Sequence, residues 1–237
     1  MRSAAATSPL SRRSCPTPAA MPFAALSCEA QAQFSAIALE TSYTRGTRLF
    51  VEDETPKSIF VIVSGRVKLS VTSKEGKTVI LRIAGAGDLL GLSAALSGNA
   101  HEMSAEVVEP CRVKVIRAKD FLAFMQKYPE ASREATRCIL SEYQTTFNNM
   151  CRLALPTTVA GRLANLLLEW LDDRSEKGSK ERRLVVPLTQ EEIAGMANTS
   201  RETVSRVLHQ FQREKVIAVH GVSMTVLQPQ ILQQLAF

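Results

Sequence analysis

Between Leu188 and Ile217 the chain reads LTQEEIAGMANTSRETVSRVLHQFQREKVI. The pattern is two short helices joined by a tight turn. Thr189 opens the first helix, and Glu192, three residues on, completes a capping box in which hydroxyl and carboxylate each serve a free backbone N–H. Ile193 and Met196 point inward, and Ala194 is small enough for a second helix to cross closely. Asn198 tolerates the left-handed conformation that stops a helix, and Ser200 is a favoured N-cap for the next one. At about 100° per residue, Arg201, Glu202, Ser205, Arg206 and His209 share one arc of the second helix. Val204, Val207, Leu208 and Phe211 share the other. Most amphipathic helices carry a solvated charged face. Here the turn, both caps and two arginines in the first two helical turns favour the chemistry that reads base edges in a DNA major groove.

The run Ser200-Arg201-Glu202-Thr203-Val204, with Arg206 after it, closely resembles the start of the recognition helix in the catabolite activator (CRP/FNR) family of bacterial transcription regulators. Weaker likeness extends from about residue 40 to about residue 225. The resemblance implies an α+β chain: an N-terminal β-roll of the cyclic-nucleotide-binding type, a long dimerisation helix and a C-terminal winged helix-turn-helix. The expected boundaries are a disordered tail over 1–28, the β-roll effector domain over 29–129, the dimer helix over 130–155 and the DNA-binding domain over 156–237.

Patterning supports each part. Ile59–Val63 reads as an apolar strand ending at a Ser64-Gly65 turn, and Val67, Leu69 and Val71 then alternate with polar residues. Lys74-Glu75-Gly76-Lys77 is a hairpin turn, and Gly85-Ala86-Gly87-Asp88 is another. Asp120–Lys127 reads as a short helix. A longer one follows from Glu130, with Ile139, Tyr143, Phe147 and Met150 at three- and four-residue spacings that suit a parallel dimer seam. Pro156 ends it, and Leu155–Thr158 is the natural hinge. Val159–Leu171 starts the DNA-binding domain, and strands at Leu184–Val186, Val216–Val219 and Met224–Leu227 supply the wing.

In the resembling family, a segment matching Gly91 to about Ala105 holds the nucleotide phosphate. A glutamate just after the glycine takes the ribose hydroxyl, and an arginine before a Ser-Ala pair neutralises the phosphate. This chain has Leu92 and Met103 there, before Ser104-Ala105. Without the charge-assisted partner, cyclic AMP is expected to be a poor effector. Ser93, Ser104 and backbone N–H groups from Gly91 onward could hold something smaller or less charged, so the effector is an unidentified small molecule. No cofactor or metal is expected. The three cysteines that an iron–sulfur sensor groups near its N-terminus are reduced here to Cys15 and Cys28. Lone His101, beside Glu102, reads as a surface residue rather than a haem ligand. A redox role for Cys111, Cys138 or Cys151 stays open against the default of inert thiols.

The 237 residues suffice for two domains with separate cores. Net charge is +6, yet residues 155–237 hold 10 basic against 9 acidic side chains. The argument for DNA therefore rests on local arrangement rather than global basicity. Five scattered cysteines without a Cys-x-x-Cys pair fit a reducing bacterial cytoplasm, and no apolar run approaches a membrane span. Arg12-Arg13 lacks the apolar run of an export signal, and Met21 is an alternative start.

The expected activity is that of a homodimer gated by an effector, not an enzyme. Arg201 and Arg206 would take guanines, Glu202 would accept from cytosine, and the site would be a TGTGA-like inverted repeat. Ser205 points instead to the oxygen-sensing branch of the family and a TTGAT-like half-site, with redox or gas activation or no small ligand. Thr157, Thr158, Thr189, Gln190, Ser200 and Thr203 are placed for phosphates, which set register without specifying sequence. RNA polymerase is an expected partner, with the Asp172–Arg183 loop as a candidate contact. The competing class is a metal-dependent β-barrel enzyme with a DNA-binding tail, which would need histidines clustered in the β domain, where only His101 lies. A cyclic-nucleotide-responsive interaction module that does not bind DNA is opposed by the reading helix.

Overall fold

In the computed structural model of the chain, residues 22–236 are described, apart from 24–25, 77, 156–157, 175–182, 186–187 and 221–222. Helix α1 (Cys28–Ile37) is capped by Ser27 and leads into β1 (Ala38–Tyr43), β2 (Arg48–Phe50), β3 (Ser58–Thr72), β4 (Thr78–Ala84) and β5 (Leu89–Leu90). A short helix α2 (Leu92–Ser97) precedes β6 (Ser104–Arg117). All pairings are antiparallel, in the order β1-β6-β3-β4, with β2 also on β6 and β5 also on β3. An antiparallel sheet of this kind lets strands of alternating pattern bury one face and solvate the other.

The expected turn at Ser64-Gly65 is not a turn. Strand β3 runs straight through it, and the register against β6 slips around Ser64 and Arg66. The extra residues are absorbed as bulges. Gly65 sits at φ +91°, and a Cβ there would lie 2.6 Å from the Cys111 Sγ and against the Pro110 carbonyl. Glycine allows both the backbone conformation and the close approach. The other two turns form as read: Gly76 N–H donates to the Ser73 carbonyl at 2.9 Å, and Asp88 N–H to the Gly85 carbonyl at 3.0 Å.

Helix α3 (Ala118–Lys127) starts two residues before the expected Asp120 and is followed by α4 (Pro129–Ala154). Pro129 stands in the first turn of α4, where its missing N–H would have no helical partner anyway. The DNA-binding part comprises α5 (Val159–Arg174), β7 (Arg183–Val185), α6 (Gln190–Met196), α7 (Arg201–Arg213), β8 (Ile217–His220), β9 (Ser223–Val226) and α8 (Pro229–Leu235). Strands β7-β9-β8 make the wing sheet. Helices α1, α2 and α8 have no counterpart in the sequence reading. Pro156, Thr157, Gly221 and most of the Asp172–Arg183 loop lie outside the described residues.

The β-roll has two apolar cores. One holds Phe50, Ile62, Leu69, Leu90 and Val113 between the sheet faces. The other packs Phe34, Phe121, Phe124 and Tyr128 beneath the sheet. Phe23 belongs to the second core, with its ring 4.7 Å from Phe34 and 5.5 Å edge-on to Phe121. The expected disordered tail over 1–28 is thus corrected at its end, because Phe23 and Leu26 are buried core residues. Apolar burial of this kind outweighs the entropy of ordering a short segment. Replacing Phe23 with alanine is expected to lower stability by about 3 kcal/mol, read from the urea midpoint. A residue in a solvated tail would leave that midpoint unchanged.

Candidate nucleic-acid interface and sensor cavity

The helix pair is built as its caps dictate. Thr189 Oγ1 accepts from Glu192 N–H at 3.2 Å, and Thr189 N–H donates to Glu192 Oε2 at 2.7 Å. Asn198 sits at φ +48°, and Thr199 N–H closes the helix end on the Ala194 carbonyl at 3.0 Å. From α5, Arg162 Nε donates to the Ala197 carbonyl at 2.8 Å, fastening the turn. Ser200 Oγ accepts from Thr203 N–H at 3.3 Å and starts α7. Val204, Val207, Leu208 and Phe211 are buried, while Arg201, Glu202, Arg206 and His209 are exposed and Ser205 is half-buried.

Gln190, Arg201, Glu202, Ser205, Arg206, His209 and Arg213 line one open concavity of about 600 Å³. His209 stands on the arc expected for it, and Arg213, four residues further on, is an addition that the same spacing marks. The Glu202 carboxyl is held below its ordinary range, first by its own backbone N–H at the helix start, then by the Ser200 hydroxyl, with the Arg201 charge adding. A helix N-terminus favours such an anion. Thr158, Thr189, Gln190 and Ser200 are exposed and Thr203 is half-buried, with the Thr189 hydroxyl also donating to Glu192 Oε2 at 2.9 Å.

A second cavity, of about 250 Å³, lies between the β-roll and α4. Of the six residues expected there, Gly91, Ser93 and Met103 line it. The other three do not. Leu92 turns into the lower core, Ala105 into the upper one, and Ser104 Oγ accepts from Glu52 N–H at 3.0 Å. Phe50, Leu69, Leu90, Ala94, His101, Glu102, Ile139, Glu142, Tyr143 and Thr146 complete the wall. His101 is not a surface residue. Only 4% exposed, it stacks on Phe50 with centroids 4.0 Å apart. Burial pushes its imidazole below its ordinary range, opposed by the Glu54 charge. Burial likewise pushes the Glu142 carboxyl up, with Arg82 opposing and Asp88 and Glu102 adding. Isolated residues give no periodic signal, so neither His101 nor Glu142 was foreseeable as a wall residue.

Ile139, expected at a dimer seam, is half-buried, lines the cavity and packs on the lower core. Tyr143, Phe147 and Met150 are exposed on α4, as is Leu140 beside Ile139. Among the described residues, no three His, Cys, Asp or Glu side chains are grouped to hold a metal ion. No described helix is long and apolar enough to cross a membrane.

The two parts meet along β4. Ile80 is a buried member of the DNA-binding core, with Ile83 packed beside it. A Cβ on Gly195 of α6 would come within 3.1 Å of the Ile80 side chain. Arg45 Nη2 lies 3.6 Å from Glu192 Oε1, and Asn149 Nδ2 of α4 donates to the Leu81 carbonyl at 3.0 Å. None of these contacts was legible from pattern.

Rolled sheet, long helix and winged helix-turn-helix together define a DNA-binding regulator with a ligand-type sensor domain. The cyclic nucleotide-binding domain matches residues 24–128, and the Crp-like helix-turn-helix domain matches residues 161–235. The chain is 28% identical over 184 residues to the CRP-like cAMP-activated global transcriptional regulator of Mycobacterium tuberculosis, covering 78% of this chain and 82% of that protein. It is 27% identical over 198 residues to the cyclic AMP receptor protein of Thermus thermophilus, covering 82% and 87%. In fold it is similar to FixK2 from Bradyrhizobium japonicum, with a TM-score of 0.74, 23% identity and coverage of 85% and 98%. The chain belongs to the CRP/FNR family of transcription regulators, a family of regulators rather than enzymes.

The thiols differ in environment. Cys28 is exposed, whereas Cys111 is buried and donates to the Glu109 carbonyl at 3.0 Å. Burial raises the Cys111 thiol, and burial with Glu134 and Glu142 nearby pushes Cys138 up to about 11. Since the thiolate is the reactive form, iodoacetamide at pH 7.5 is expected to label Cys28 well before Cys111 and Cys138. Peptide mass spectrometry against time reads the order, and early labelling of Cys138 would contradict it.

Proposed function

We propose that the chain acts in the bacterial cytoplasm as an effector-gated homodimer that reads an inverted repeat of TGTGA-like half-sites. The observation carrying the reading is the single concavity in which Arg201, Glu202 and Arg206 stand together, opposite the buried arc of α7. Each arginine suits a guanine through O6 and N7, and the ionised Glu202 suits the N4 amino group of cytosine. Gln190 lines the same concavity, and with Thr158, Thr189, Ser200 and Thr203 it is proposed to take phosphates, which hold register. RNA polymerase is the assigned protein partner.

Replacing Arg206 with alanine is expected to weaken specific binding by roughly 1–3 kcal/mol and to flatten preference at one guanine. Selection of binding sites from a random pool reads this directly. Unchanged base preference would remove Arg206 from its role. The same selection weighs Ser205, which lines the concavity beside the arginines. A TTGAT-like consensus from the parent protein would favour the second reading.

Two copies are needed to span two half-sites about one DNA turn apart. Leu140, Tyr143, Phe147 and Met150 are each more than half exposed on α4, an apolar stripe that a second α4 would cover. The Phe147→Glu variant should shift sedimentation from dimer toward monomer and weaken binding to the full repeat. Unaltered sedimentation would argue against this seam.

A further inference from the structure

We infer that the sensor cavity takes a compact aromatic amine: a flat apolar ring with a polar edge, carrying one positive charge. The inference rests on reading this cavity as the effector site. Its walls are mostly apolar, from Phe50, Leu69, Leu90, Met103, Ile139 and Tyr143. Such a lining selects an apolar body with few polar handles. Among the described residues the charged side chains on the wall are Glu102 and Glu142, and no lysine or arginine lines it. Arg82, whose charge reaches Glu142, is already held by Asp88 at 3.2 Å. A phosphate entering here would meet like charge with no free guanidinium, whereas an ammonium would meet two carboxylates.

His101 fixes the second handle. Its ring is buried on the cavity wall, and no protein group among the described residues accepts from or donates to its imidazole nitrogens. A buried polar group left unpaired is costly, so an occupant that satisfies it gains on binding. The neutral imidazole offers one donor and one acceptor. A ligand ring bearing N–H or O–H meets that requirement, and the stacked Phe50 and His101 rings both line the cavity, beside which an aromatic body packs well. The ring edge therefore pairs with His101 while the amine pairs with Glu142 and Glu102.

A series sharing one ring but differing in charge tests this on the full-length protein. Tryptamine, indole and indole-3-acetate are titrated calorimetrically at pH 7.5, with cyclic AMP as a fourth titrant. The expected order is tryptamine, then indole, then indole-3-acetate, with about tenfold between the cation and the anion and no heat from cyclic AMP. The Glu142→Gln variant should bring tryptamine down to the level of indole. The Met103→Arg variant should favour the anion, and His101→Phe should weaken tryptamine and indole alike. Thermal melts of each variant confirm that it folds. Equal or tighter binding of indole-3-acetate or cyclic AMP overturns the inference, as does no binding by tryptamine at millimolar concentration. Because these titrations contain no DNA, their failure is separable from failure of the DNA reading, which a gel shift reports alone.

Discussion

The ladder between β3 and β6 is the contact on which the sensor domain depends. It joins two long strands, and β6 carries β1 and β2 on its other flank. Two flat strands of this length would make a plain ribbon. The bulges around Gly65 bend the pair, and the bend turns a sheet into a roll with an inside. The roll separates the two cores and brings Phe50, Leu69 and Leu90 toward one mouth, which α4 then covers. Cavity and bend share one cause.

The junction along β4 depends on that roll. A rolled sheet presents Ile80 and Ile83 outward, where α6 lacks a side chain at Gly195 and so fits closely. Glu192 serves two structures: it closes the capping box of α6 and lies beside Arg45 of the sensor domain. Half-exposed ion pairs contribute little stability, so apolar packing holds the junction and Arg45 helps orient it. The first helix of the DNA-reading pair is thereby seated on the strand that follows the β3 hairpin.

What the amino-acid order made legible follows a physical rule. Local signals were readable: the Thr189 box, the Asn198 stop, the Ser200 cap and the buried arc of α7 depend on neighbours within four residues. The β-roll was readable in outline because alternation and glycine turns are local too. Gly65 misled because a bulge and a turn ask the same backbone freedom of glycine, and only the partner strand tells them apart. Leu92 opens helix α2 and turns into the lower core, while Ser104 and Ala105 point to opposite faces of β6; which face meets the cavity is set by strands distant in the chain. His101, Glu142, Asn149 and Ile80 matter through partners such as Phe50, Arg82, Leu81 and Gly195, all remote in the chain, and no periodicity announces such contacts.

Strand β4 ends the order β1-β6-β3-β4, so one of its sides is a sheet edge. Open edges are templates for pairing with other chains, and proteins guard them. Here the guard is assembled from elsewhere: Asn149 occupies the Leu81 carbonyl, and α6 lies over Ile80. Helix α4 and the domain that reads DNA thus share the cover of the sensor's outermost strand. Any movement that lifts the reading domain away leaves Asn149 of α4 as the remaining guard on that strand, which links freedom of the reading head to the colloidal behaviour of the whole molecule.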